Sequence, residues 1–125
     1  MSDIRNDLKY TDSHEWVKMK GNAAKVGITD HAQSELTDIV FVEFPEIGKE
    51  VKQGDELCVV ESVKSVSEIY APVSGKIINV NQKLEDTPET INESPYEEGW
   101  LVEIEIADEA EIKTLLDADS YGKLV

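Results

Sequence analysis

The chain has 125 residues, enough for one domain spanning 1–125 with a substantial core, and 40% of them are apolar, as in a folded rather than a disordered protein. Its 27 acidic side chains against 12 basic ones leave a formal net charge of −15. That balance argues against nucleic acid or an anionic membrane surface and suits a protein that visits partners with basic docking patches.

Met1 to Lys9 has neither the apolar stretch of a signal peptide nor the Arg-rich, acid-poor composition of a transit peptide. A bacterial cytoplasm is therefore expected; a mitochondrial-matrix protein stripped of its leader would read the same way. No apolar run approaches the roughly 18 residues of a membrane-spanning helix. His14 to Met19 alternates, with Trp16 and Lys18 on one face and Val17 and Met19 on the other, as in a half-buried strand. Gly21-Asn22 reads as a turn and Ala23 to Ile28 as the returning strand. Thr29 or Asp30 caps a short helix reaching about Leu36, with Gln33 in capping-box position if Asp30 is the cap. Ile39 to Phe44 is β-like and is stopped by Pro45 and Gly48; Val51 to Gly54 is a short strand and turn.

Glu61-Ser62-Val63-Lys64-Ser65-Val66-Ser67-Glu68 is a palindrome about the Lys64–Ser65 pair, flanked by apolar runs from Leu57 to Val60 and from Ile69 to Val73. Two β-like runs with so short a connection predict a hairpin over about 56–71, with Lys64 at its tip. Lys-Ser supplies no residue suited to positive φ, so a type I turn in a slightly longer loop is expected rather than a tight primed turn. If Glu61 and Glu68 face each other, their repulsion costs up to about 1 kcal/mol. The pair is either a solvated acidic hairpin end or a bracket that marks Lys64 for recognition.

Pro72 to Gly75 turns the chain into a strand over Lys76 to Asn81. Thr87-Pro88 reads as an N-cap with proline at the first helical position, opening a brief helix through Ile91. Ser94-Pro95-Tyr96 and Gly99 belong to a loop. Trp100 to Ile106 alternates, with Trp100, Val102, Ile104 and Ile106 opposite Leu101, Glu103 and Glu105. Asp108 caps a final helix over about 108–117, with Glu111 in capping-box position and Ile112, Leu115 and Leu116 as its apolar stripe. Many short strands with a few peripheral helices predict a mainly β domain.

Catalytic equipment is not apparent. His14 and His31 lack Cys or His neighbours at ligand spacing, so no metal site is expected. No glycine-rich phosphate loop or nucleophile elbow occurs. Cys58, the single cysteine, lies in an apolar run and reads as a buried structural thiol. The chain therefore reads as a non-enzyme.

Several segments together carry a resemblance: His14-Glu15-Trp16-Val17, Val26-Gly27-Ile28-Thr29-Asp30-His31-Ala32-Gln33, Asp38 to Val42, Glu61-Ser62-Val63-Lys64, Tyr70 to Gly75, Asn92, Ser94-Pro95-Tyr96 and Gly99-Trp100. The chain resembles the H proteins of the glycine cleavage system over nearly its whole length. The resemblance implies a barrel-sandwich hybrid like that of lipoyl and biotinyl carriers, with short peripheral helices and a C-terminal helix. It also implies lipoic acid joined to Lys64 by an amide, with Glu61 recognised by the lipoate-attaching enzyme. Partners would be a pyridoxal-phosphate glycine decarboxylase, an aminomethyltransferase and a dihydrolipoamide dehydrogenase, visited by a monomer. The loaded arm, ending in a cationic amine, would rest in a cleft to which Ser13, Glu15 and Glu68 are assigned. Two positions depart from the family pattern: Thr37 stands where glycine is usual, and Phe44 where leucine is usual. Alternatives are another swinging-arm carrier, or a lipoyl relay with no glycine decarboxylase partner. Biotin carriers flank their lysine with methionines, whereas Val63 and Ser65 flank Lys64.

Overall fold

The computed structural model describes residues 3–125. Among them, nine strands form two antiparallel sheets. The larger has the order β1 (Lys9–Tyr10), β2 (Glu15–Lys20), β3 (Ala23–Ile28), β9 (Val102–Ile106), β8 (Gly75–Val80), β5 (Glu50–Val51). The smaller runs β4 (Ile39–Glu43), β6 (Glu56–Ser62), β7 (Val66–Tyr70). Four short α-helices lie outside the sheets: α1 (Asp30–Leu36), α2 (Lys83–Asp86), α3 (Thr90–Glu93) and α4 (Ala118–Gly122). The mainly β expectation holds.

Alternation along the strands places one face of each sheet in a shared apolar core, where Val26, Ile28, Val42, Val60, Ile77 and Ile104 are buried. Cys58 is buried there too, and burial pushes its thiol pKa up, leaving it inert. A second cluster, of Leu8, Tyr10, Trp16, Tyr96 and Tyr121, covers the start of β2 from the other side. The half-buried expectation for β2 is thereby corrected: Trp16 and Val17 are both fully buried, and only Lys18 to Lys20 are exposed. The indole fits because the strand opposite is bare. Trp16 pairs with Gly27, where a Cβ would lie 2.7 Å from ring atoms, and its Nε1–H donates to the Pro95 carbonyl at 2.9 Å. Leu101 is likewise fully buried rather than sharing a solvent face with Glu103, because it precedes β9, its N–H donating to Val26 O at 2.8 Å.

Helix boundaries differ from expectation in instructive ways. Thr29 caps α1, its side chain accepting from Ala32 N–H at 3.2 Å, while Gln33 donates to Asp30 Oδ1 instead of closing a capping box. Thr87 ends α2 rather than opening a helix; its hydroxyl donates back to Lys83 O at 3.0 Å, and α3 begins three residues later. The continuous helix expected over about 108–117 is absent. A 3-10 helix spans Glu109–Thr114, Leu116 bridges to Tyr10, and α4 follows. Leu116 is the reason: its N–H and C=O are both taken by the Tyr10 backbone (2.7 and 2.8 Å), while the Glu111 carboxylate accepts from Ser74 N–H (2.6 Å) and Ser74 Oγ–H (2.7 Å) instead of closing a capping box. Finally, Thr37 closes α1 with φ 65° and ψ −146°, so the first departure from the family pattern falls on backbone that favours glycine.

Candidate functional site

The β6–β7 hairpin ends in a loop of three residues, Val63, Lys64 and Ser65. None of them has positive φ, in line with a loop longer than a primed two-residue turn. One hydroxyl organises it. Ser62 Oγ accepts from Ser65 N–H (3.1 Å) and Lys64 N–H (3.3 Å) and donates to Ser65 O (3.2 Å), while Ser62 N–H donates to Ser65 O at 2.8 Å. Val63 N–H donates to Asp38 O at 3.0 Å, pinning the loop to the residue before β4. Lys64 itself is exposed, and among the described residues it enters no ion pair. Ser62 gave no sign of this role in the sequence beyond its place beside the predicted turn.

The palindromic pairing is not what forms. Glu61 lies opposite Val66 and Glu68 opposite Val59, a slip of two residues, so the two carboxylates do not face each other. The β6–β7 ladder ends at the Glu61–Val66 pair, the loop beyond it is held by the Ser62 and Asp38 contacts, and the slip avoids like charges in register. Cross-strand rows Phe41–Glu61–Val66 and Glu43–Val59–Glu68 follow on one face of the small sheet. Phe41 and Val66 are about half or more exposed, at 49% and 63%. The face beside Lys64 is therefore acidic and apolar.

A cleft of about 280 Å³ lies where the loop before β2 meets the end of β7 and the C-terminal segment. Ser13 and Glu15 line it, together with Thr11, Tyr70, Leu115 and Leu116. Glu15 is 1% exposed. Its Oε1 accepts from Thr11 Oγ1–H (2.5 Å) and Ser13 Oγ–H (2.6 Å), and its Oε2 from Tyr70 N–H (3.3 Å). Burial pushes this carboxyl's pKa up, and those hydrogen bonds pull it partly back. No cation pairs with it among the described residues, although buried carboxylates are ordinarily paired. The wall thus holds a buried carboxyl that has three hydrogen-bond donors and no cation.

Glu68 does not line this cleft. Its Oε2 accepts from the Tyr70 hydroxyl at 3.1 Å, so it reaches the rim through Tyr70. Glu61 sits apart, on the hairpin face. Tyr70 and Thr11 were missed by sequence reasoning. Tyr70 stands two residues from Glu68, on the same strand face, and Thr11 completes a Thr-Xaa-Ser-Xaa-Glu spacing; both signals were present. The 11–14 loop is held from behind: His14, at φ 72°, bonds the Tyr121 hydroxyl through Nδ1 at 2.7 Å, and Tyr121 stacks on Tyr10 with centroids 4.6 Å apart. On the far wall Gln53 Nε2–H donates to Pro72 O and Thr114 Oγ1, both at 3.0 Å.

A family model described as Glycine cleavage H-protein matches residues 8–125. The chain belongs to that family. It is 53% identical over 125 residues to the Glycine cleavage system H protein of Halalkalibacterium halodurans, covering 100% of this chain and 98% of that one. With the protein of the same name from Staphylococcus haemolyticus it shares 53% identity over 122 residues, 98% of this chain and 97% of the other. The crystal structure of a glycine cleavage system H protein from Mycobacterium marinum superposes with a TM-score of 0.87 at 39% identity, covering 96% and 97% of the two chains. The two-sheet architecture is accordingly the lipoyl-domain-like barrel-sandwich fold. No helix among the described residues is long and apolar enough to cross a membrane.

Proposed function

We propose that Lys64 carries, as an amide on Nζ, the lipoyl group through which the protein serves as the shuttle of the glycine cleavage system. The observation that supports this most directly is the exposed lysine at a three-residue tip pinned by Ser62 and Asp38. Acylation needs an accessible amine presented at a fixed place, and the tip provides both. When attached, the lipoyl dithiolane supplies the disulfide that accepts the methylamine fragment of glycine. The chain's own residues do the rest by position. The rigid small sheet holds the tether's root, and tethering raises the local concentration of the arm's end near each visited active site.

Glu15, with Thr11 and Ser13 turned toward it, offers the cleft an acceptor suited to a cationic amine. Glu68 acts at the rim through Tyr70. Leu115 and Leu116 give the cleft apolar surface for the arm's hydrocarbon. Glu61, with Phe41 and Val66 beside it in the same row, forms part of the face offered to the lipoate-attaching enzyme. Partners are glycine decarboxylase, aminomethyltransferase and dihydrolipoamide dehydrogenase, met by a single-domain monomer that performs no catalysis of its own. A bacterial cytoplasm agrees with the two bacterial relatives.

The test is substitution at the anchor. Lys64→Arg keeps the charge but removes the acylatable amine. Lipoylated wild-type protein should support glycine decarboxylation with the purified partner enzymes, and Lys64→Arg should not. Full activity of Lys64→Arg would overturn the assignment.

A further inference from the structure

The Lys64 tip is held by a carbonyl that belongs to a strained corner, and that corner is held by one side chain from a distant helix. Asn92, on α3, makes two hydrogen bonds to it and a third to Gln33 of α1. Its Nδ2 donates to Thr37 O at 2.7 Å and to Gln33 Oε1 at 2.9 Å, and its Oδ1 accepts from Ile39 N–H at 2.9 Å. Asn92 thus grips the residue on each side of Asp38, whose own carbonyl receives Val63 N–H. Thr37 needs that grip. At φ 65° and ψ −146° it occupies backbone that is nearly glycine-only, and such conformations persist only where their surroundings over-determine them.

We infer that Asn92 is a positioning residue for the lysine tip: it fixes the 37–39 corner so that Asp38 O stands where Val63 N–H can bond it, and so sets where Lys64 is presented. This rests on the reading of Lys64 as the acylated residue, yet part of its test does not. The path is contiguous, from Asn92 through Thr37 and Ile39 to Asp38, Val63 and Lys64. It runs 55 and 53 residues back along the chain to the corner, then on to the hairpin by a contact that carries the Ile39–Ser62 register of β4 and β6 one residue further. A residue that merely stabilised α3 would have no reason to bond both sides of one carbonyl.

The experiment compares wild type with Asn92→Ala, Asn92→Asp and Asn92→Ala/Thr37→Gly, following amide hydrogen exchange and the rate of lipoyl attachment by a lipoate-attaching enzyme. Asn92→Ala should speed exchange of the Val63 amide about ten-fold relative to that of Ile104 in the core, the loss expected from one or two hydrogen bonds. Attachment should slow by a similar factor of about ten, since presentation is misplaced rather than abolished. Asn92→Asp, which keeps the acceptor for Ile39 N–H but loses both donated bonds, should change both readouts in the same direction and keeps the test available if the alanine variant does not fold. Thr37→Gly, which removes the strain, should restore both readouts in the double variant. Equal acceleration at Val63 and Ile104, or no rescue by glycine, would reduce Asn92 to general stability and overturn the inference. Should wild-type Lys64 accept no lipoyl group, the functional reading fails, while the Val63 exchange and its rescue still decide the role of Asn92.

Discussion

Tyr70 N–H donates to Glu15 Oε2 at 3.3 Å, so the end of the lysine hairpin leans on a carboxylate that is 1% exposed and belongs to the other sheet. The contact joins β7 to the start of β2 at the cleft, and it leaves a buried acid without a cation. Burial raises this carboxyl's pKa above its ordinary value of 4.5. The folded state therefore holds the proton at pH values where the unfolded chain has released it. Stability from this group is fully present below about 4.5 and is lost as pH rises through the raised value. Glu15→Gln should be more stable than wild type near neutral pH, with the difference vanishing in acid. Chemical denaturation at several pH values measures it, and parallel curves would contradict the burial argument.

His14 has the opposite sign. Burial, and next the His31 ring 4.7 Å away, lower its pKa below 6.5, so the folded state resists protonation. Its contribution is present above 6.5 and is lost as pH falls through the lowered value. In His14→Asn, which tolerates positive φ, that acid-side slope should disappear, although some packing against Tyr121 is lost at every pH. Thermal denaturation between pH 7 and 5 is the check. An unchanged slope would show that another group carries it.

Gly27 and Trp16 make a packing prediction. A Cβ at 27 would lie 2.7 Å from the indole, whose Nε1–H is already committed to Pro95 O. Gly27→Ala should cost about 1–3 kcal/mol through overpacking, and truncating the indole in Trp16→Ala about 3–5 kcal/mol. Denaturant midpoints of the two variants test both values. A silent Gly27→Ala would mean the ring can move aside.

Much of this fold was legible because alternation and turn residues are local signals: β2, β3, β4, the lysine hairpin and β9 all lie where period and punctuation place them. What was not legible depended on partners far along the chain. The burial of Trp16, on the face opposite Val17, needs Tyr96 and Tyr121 to cover β2, and the broken C-terminal helix needs Tyr10 to claim the Leu116 backbone. The hairpin register slips two residues from the palindrome, beside loop contacts of Ser62 and Asp38 that residue symmetry does not encode. At the candidate site, Ser13, on the loop before β2, and Glu15, its first residue, are brought together by their spacing. Glu68 reaches the rim only by way of Tyr70, a relation that exists once β7 is formed.

What is bonded to Lys64 Nζ decides whether this protein is a lipoyl carrier. Peptide mass spectrometry of the protein purified from its native host should find the lipoyl mass on the peptide containing Lys64 and on no other lysine. Unmodified Lys64 in a preparation that supports glycine cleavage, or a lipoyl group on a different side chain, would contradict it.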